Sequence, residues 1–344
     1  MENQQANIIN ISDLSIGYFS GGNKQALLSY LSMEASKGEL IALIGKNGAG
    51  KSTLLRTLTK QLPLISGHIS IYGKDPEDYS MNQFAKIVSF VSTEIVKINN
   101  FRVIDLVALG RFPHTNWIGK LQSEDLEKVT DALASVGLSH LTYKSTNQIS
   151  DGERQRVMIA RAIAQDTPII IMDEPTAFLD ITNRYEIVDL LHNLTREKDK
   201  TIIFSSHDLS IAMQEADKIW LMEDKNILQG APEDLIINNS FNKLFQNSRV
   251  SFDRQTGEFR MQKKMVTNMT LAGDKKLLIW TQKALERNGI GIAVTQAESE
   301  INAIFKEKRP CWALTLKNQK LEFYSIYELS TFLRNHIKTI SISN

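Results

Sequence analysis

Short apolar runs that stop at glycine or at acidic residues punctuate the first two thirds of the chain. Leu40-Ile41-Ala42-Leu43-Ile44 is continuous, has strand length and ends at a glycine-rich loop; Ser52–Leu62 then carries the residues of a helix that Pro63 ends. Ile169–Met172 predicts a second buried strand, residues 183–195 a helix and Thr201–Ser205 a further strand. Strands alternating with helices in this way predict a mixed, mainly parallel sheet. Ahead of it, residues 8–16 alternate weakly as far as Gly17-Tyr18, and Ser20-Gly21-Gly22-Asn23 predicts a tight turn between two strands. Gly67–Tyr72 predicts one strand of a hairpin turned at Gly73-Lys74-Asp75-Pro76, and residues 103–165 are largely helical in pattern.

Beyond residue 248 the elements shorten and predict the order β-β-α-β-α-β-β-α. Leu321 and Phe323 alternate with polar neighbours after an Asn318-Gln319 turn, and Ser325 with Glu328 forms a capping box opening a helix to about Ile337. The change divides the chain into a first domain, 1–248, with a helical subdomain at 95–165, and a small α/β accessory domain, 249–344. Trp280, Trp312, Phe305, Phe323 and Phe332 are expected in the core of the second domain. Cys311 is expected to be a buried small hydrophobe.

A length of 344 residues suits two domains of unequal size, and 42% hydrophobic with 23% charged residues is a globular composition. Forty basic against 39 acidic residues leave a net charge of +1, which gives no footprint for a nucleic-acid partner. Met1–Asn10 lacks a basic segment followed by an apolar stretch, and no apolar run is long enough to cross a bilayer, so membrane contact is expected to go through a partner. The single cysteine excludes an internal disulfide and fits a reducing compartment.

Gly45-Lys46-Asn47-Gly48-Ala49-Gly50-Lys51-Ser52-Thr53 stands between a strand and a helix and satisfies the phosphate-loop pattern. Its glycines let successive backbone N–H groups wrap a phosphate at a helix N-terminus. Lys51 would reach the β- and γ-phosphates of ATP, and the Ser52 hydroxyl would ligate Mg²⁺. Asp173 and Glu174 follow the strand Ile169–Met172, at the carboxyl edge where ligands bind in open α/β sheets. Asp173 would hold Mg²⁺ through water, and Glu174 would polarise the attacking water.

Ile149-Ser150-Asp151-Gly152-Glu153-Arg154-Gln155-Arg156 resembles the signature of ATP-binding cassette (ABC) ATPases, and residues 8–248 resemble their nucleotide-binding domains throughout. The resemblance implies a phosphate-loop cassette fold with a β-rich N-terminal part, a mainly parallel core sheet and a helical subdomain. It implies further roles: Tyr18 stacks on adenine, Ala177-Phe178-Leu179-Asp180 is the loop that crosses the dimer interface, and His207 hydrogen-bonds the γ-phosphate. Ser150 and Glu153 form a capping box whose helix end, with Gly152, would face an anion; in the family it meets the γ-phosphate held by the opposite subunit. The implied machine is a head-to-tail homodimer with two ATP molecules between phosphate loops and signatures. It would sit on the cytoplasmic face of the cell membrane through integral-membrane permease subunits, with a substrate-binding protein as an indirect partner.

Two positions depart from the family pattern. Asp151 replaces a glycine, and a carboxylate there would be repelled by a triphosphate unless it points away or is hydrogen-bonded. Thr93 replaces the glutamine that contacts Mg²⁺: Thr93 supplies a hydroxyl ligand, Glu94 substitutes, or the coupling is weaker. Phe101–His114, ending Gly110-Arg111-Phe112-Pro113-His114, resembles the segment found in ATPases of ferric siderophore, haem and vitamin B12 importers; by its residues alone it is an amphipathic helix broken by Pro113. An importer motor is therefore expected. Two rivals remain: the ATPase of another transporter class, such as an exporter or a sugar, peptide or metal importer, and a soluble ABC ATPase acting on ribosomes or DNA, whose usual second cassette or sustained heptads this sequence lacks.

Overall fold

The computed structural model describes residues 7–20, 23–93, 101–115, 119–223, 226–244, 249–253, 258–293, 297, 299–316 and 319–341. The chain divides into two compact units, Met1–Gln246 with Arg254–Glu258, and Asn247–Asp253 with Phe259–Asn344. In the first unit, β1 (Asn7–Ser20) and β2 (Asn23–Ser36) pair antiparallel, β3 (Leu40–Gly45) leads into α1 (Lys51–Leu58), and β4 (Ser66–Ile71) returns to the free side of β1. The predicted hairpin after β4 does not form. Ile71 and Lys74 exchange one pair of backbone hydrogen bonds, and then Asp75 caps a 3-10 turn at Pro76–Asp78, where the proline has no N–H to offer a ladder. Helix α1 is also shorter than its pattern, because Gln61 and Leu62 both turn their N–H groups back onto Arg56 O around a left-handed Lys60.

The chain continues through α2 (Met81–Ala85), β5 (Val88–Val91), α3 (Val103–Ala108), a 3-10 segment Leu109–His114, α4 (Ser123–Ser135), α5 (Asp151–Ala164) and β6 (Ile169–Met172). It then forms α6 (Ile181–Lys198), β7 (Thr201–Ser206), α7 (Leu209–Glu215), β8 (Lys218–Glu223), β9 (Asn226–Gly230), α8 (Pro232–Ile237) and α9 (Ser240–Leu244). The core sheet runs β5-β6-β7-β3-β8-β9 and is parallel except for β9. Its central strands separate two cores. Leu40, Ala42, Ile170, Met172 and Phe204 face one, and Ile41, Leu43, Ile169, Ile171 and Ile203 face the other. Burial on both faces is why these strands are written as continuous apolar runs.

The Phe101–His114 segment is not one amphipathic helix: α3 stops at Ala108 and a 3-10 turn carries Pro113. A methyl group on Gly110 would sit 2.2 Å from Arg161 O, so only glycine lets the turn lie against α5. Arg111 is buried there, its Nε donating to Asp125 Oδ1 at 2.9 Å and its Nη1 to Ala164 O at 2.8 Å. The segment thus ties α3, α4 and α5 together.

The second unit contains a two-stranded ribbon, β10 (Val250–Asp253) with β11 (Glu258–Met261), followed by β12 (Thr267–Gly273), α10 (Lys275–Arg287), β13 (Ile290–Ile292), β14 (Ser299–Lys306), β15 (Arg309–Leu316), β16 (Gln319–Phe323) and α11 (Ile326–Ser341). The sheet order is β13-β12-β14-β15-β16. The predicted order therefore fails twice: a strand precedes α10, and the second predicted helix is replaced by β14, where Ser299, Ile301 and Ala303 alternate inward. Ser325 does cap α11, accepting from Glu328 N at 3.1 Å. Trp312 is 4% exposed and its indole N–H donates to Thr281 Oγ1 at 2.7 Å, Phe323 and Phe332 pack against the core, and Cys311 is buried. Trp280, 62% exposed, and Phe305, 47% exposed, are outside it. The buried face of α10 is Leu277, Thr281, Ala284 and Leu285, and Trp280 falls one position off that stripe.

Candidate functional site

Strand β3 ends at Gly45, whose Cα lies so close to β8 that a methyl group would meet Met222 Cβ at 2.8 Å. The loop that follows turns on Gly48 (φ 78°) and Gly50 (φ 101°), both left-handed. At Gly50 a side chain would strike Leu27 Cδ2 at 2.9 Å, whereas Gly48 faces open space. Lys51, the first residue of α1, folds back and donates from Nζ to Gly45 O at 2.9 Å and Lys46 O at 3.3 Å, closing the loop on itself. Burial pushes the Lys51 ammonium below its ordinary pKa, and the carboxylates of Glu174 and Asp173 partly offset this.

The apolar strand β6 delivers Asp173 at its end, 2% exposed. Its Oδ1 accepts from the Ser205 hydroxyl at 2.7 Å, and its backbone carbonyl accepts from Thr93 Oγ1 at 2.9 Å. Glu174 follows with φ 50°, its N–H donating to Ser205 Oγ at 2.9 Å and its Oε1 in contact with His207 Nε2. Tyr18, Asn47, Gly48, Gly50, Lys51, Ser52, Thr53, Glu174 and His207 line one cleft of about 320 Å³, whose further wall is Leu27. The Tyr18 ring is 55% exposed and its hydroxyl sits 3.3 Å from Thr53 Oγ1, which fixes the aromatic beside the loop. Thr93 does not line this cleft, and Glu94 lies outside the described residues.

Ser150, Gly152, Glu153 and Asp180 line a different recess, of about 450 Å³, which shares no residue with the first. Ser150 Oγ accepts from Glu153 N at 3.2 Å, and Glu153 Oε2 accepts from Ser150 N at 2.7 Å and Ser150 Oγ at 2.9 Å. The backbone bond from Ser150 is the main reason that the Glu153 carboxyl lies below its usual range. Asp180 caps α6 through Asn183 N at 2.8 Å. Asp151 is largely in solvent, 3.9 Å from Arg154 Nε, and Phe178, itself left-handed at φ 63°, is exposed. Sequence reasoning passed over Ser205 and Leu27; the signal for Ser205 was a Ser-Ser pair ending an apolar strand just before His207.

A family model described as ABC transporter matches residues 28–177, and one described as iron ABC transporter C-terminal domain matches residues 267–334. An ABC transporter ATP-binding protein of Methanocaldococcus jannaschii is 35% identical over 262 residues, 76% of this chain and 89% of that one. The ferric enterobactin transport ATP-binding protein FepC of Escherichia coli is 37% identical over 224 residues, 65% of this chain and 81% of its own. The petrobactin import ATP-binding protein FpuD of Bacillus anthracis is 36% identical over 211 residues, 61% and 77% respectively. Among solved structures, an inward-facing transporter described as of metal-chelate type aligns with TM-score 0.60 and 28% identity over 70% of this chain and 89% of that one. A dimeric cassette bound to ADP and Pi shares the fold, with TM-score 0.59 and 24% identity over 65% of this chain and 98% of its own. The fold is thus the phosphate-loop cassette that the sequence implied, and the chain belongs to the ATP-binding subunits of ABC transporters, which are ATPases.

Proposed function

We propose that this chain is the motor of an importer for an iron chelate, a ferric siderophore being the class its relatives' names support. The observation that carries the motor reading is the convergence of the phosphate loop, Glu174 and His207 on one cleft, with Asp173 buried behind it. Lys51 and the loop N–H groups bind the β- and γ-phosphates of ATP, and Tyr18 stacks on the base. The Ser52 hydroxyl and the Asp173 carboxylate are hard oxygen donors of the kind Mg²⁺ takes alongside nucleotide phosphates, and the ion supplies charge neutralisation there. Thr93 acts behind this pair, through the Asp173 carbonyl. Glu174 accepts the proton of the attacking water, and His207, already against its carboxylate, orients it and reaches the γ-phosphate.

The Ser150–Asp180 recess shares no residue with the nucleotide cleft, and a head-to-tail homodimer would bring the signature of one subunit onto the γ-phosphate held by the other. Among the described residues no helix is long and apolar enough to cross a membrane; the dimer works at the cytoplasmic membrane face through permease subunits, fed indirectly by a substrate-binding protein. Residues 249–344 form an accessory domain, and the match of residues 267–334 to an iron transporter domain supports the iron reading. The test is uptake of ⁵⁵Fe-labelled siderophore by cells lacking the gene. Restoration by the native chain but not by Lys51→Ala supports the proposal, and uptake unaffected by the deletion refutes it.

A further inference from the structure

We propose that Ser205 is a positioning residue for hydrolysis, its one hydroxyl locking the Asp173 side chain and the Glu174 main chain into a single geometry. This rests on the assignment of Asp173 and Glu174 to metal binding and water activation. Ser205 is the penultimate residue of β7 and 0% exposed. A serine hydroxyl has one proton to donate and lone pairs to accept with, and both capacities are in use: the proton goes to Asp173 Oδ1 at 2.7 Å, and the oxygen receives Glu174 N–H at 2.9 Å.

The placement follows from the sheet. The parallel ladder between β6 and β7 ends at Met172↔Phe204, one residue before these contacts, so from there a side chain takes over what the backbone did. The substitution matters most for Glu174, whose left-handed φ of 50° is costly for a residue with a side chain and needs a fixed partner to persist. Ser205 is itself anchored on its other side, its backbone paired with Leu43 of β3, two residues before the phosphate loop begins at Gly45. The hydroxyl therefore sets the two carboxylates relative to the loop, through β3, rather than touching nucleotide itself.

The experiment compares Ser205→Ala, which removes the hydroxyl without adding volume, with Ser205→Thr and its hydroxyl-free isostere Ser205→Val. Hydrolysis kinetics, Mg²⁺ titrations and trinitrophenyl-ATP binding in EDTA and in Mg²⁺ are measured, with thermal melts to confirm folding. Removing a charge-assisted bond from a catalytic carboxylate predicts a kcat lower by on the order of tenfold in Ser205→Ala and Ser205→Val. Nucleotide affinity in EDTA stays within about twofold, because the loop's own groups remain. The effect of Mg²⁺ on nucleotide affinity is lost in both, and Ser205→Thr recovers it together with most of kcat. Native kcat and Mg²⁺ dependence in Ser205→Ala would overturn the proposal, as would an alanine defect that threonine does not relieve at all. Asp173→Asn and Glu174→Gln run beside them: if these hydrolyse ATP normally, the assignment of the carboxylates has failed, whereas if they are inactive and Ser205→Ala is not, only the role of Ser205 has.

Discussion

Replacing Asp125 by alanine strands a buried cation. The Arg111 and Asp125 side chains are 6% and 10% exposed, and the pair meets at 2.9 Å. Asp125 also accepts Gln122 N at 2.9 Å, the main cause of its low carboxyl pKa, while Arg111 is held further by Ala164 O at 2.8 Å. The variant removes both carboxylate bonds and leaves the guanidinium out of water with only the carbonyl, so it should lose about 3–5 kcal/mol of stability. For a domain of this size that is a fall in Tm of about 6–20 °C. The buried indole of Trp220 in the same unit reports its unfolding by fluorescence in urea. Charge burial, not lost packing, is the claimed cause, so a double variant Arg111→Met with Asp125→Leu should recover at least half of the loss. A cost under about 1 kcal/mol for Asp125→Ala, or no recovery in the double variant, would refute the reasoning.

Two further outcomes are expected. Asp166 is partly buried, which alone would raise its pKa, yet the ammonium groups of Lys128 and Lys200 hold it at about 2. Its folded pKa lies below the unfolded value, so its contribution is present above about pH 4 and disappears as pH falls toward 2. Asp166→Asn should cost about 0.5–1 kcal/mol at pH 7, exposure limiting the pair, and the difference from the native chain should close over that acid window in urea titrations. In the second unit, Trp312→Ala should cost about 3–5 kcal/mol, while Trp280→Ser, losing an exposed ring and its Lys283 contact, should cost under about 1 kcal/mol by thermal melting.

The cassette was legible because its chemistry is local. A glycine loop between strand and helix, two carboxylates after an apolar strand, and a capping box are each written within about ten residues, and secondary structure alone places them. What was not legible depended on partners distant in sequence. The role of Ser205 requires knowing that β6 and β7 are neighbours, and the burial of Arg111 that Ala164 and Asp125 surround it. The turn sequence after Gly67 says where the chain reverses, not whether a strand waits beyond it, and β4 pairs with β1 instead. In the second unit the alternation of β12 fades after Met269 and that of β14 after Ala303, so period two does not stand out from a helical period, and one step around α10 decides whether Trp280 meets core or solvent.

The central claim is that Glu174 drives hydrolysis within an ATP-bound dimer, and it is tested most directly by comparing the native chain with Glu174→Gln for Mg²⁺-dependent ATP turnover and for mass in solution with ATP. The predicted result is a fall in turnover of about 100-fold or more together with accumulation of a dimer that requires ATP. Turnover at the native rate in the variant, or a dimer that forms equally without nucleotide, would contradict it.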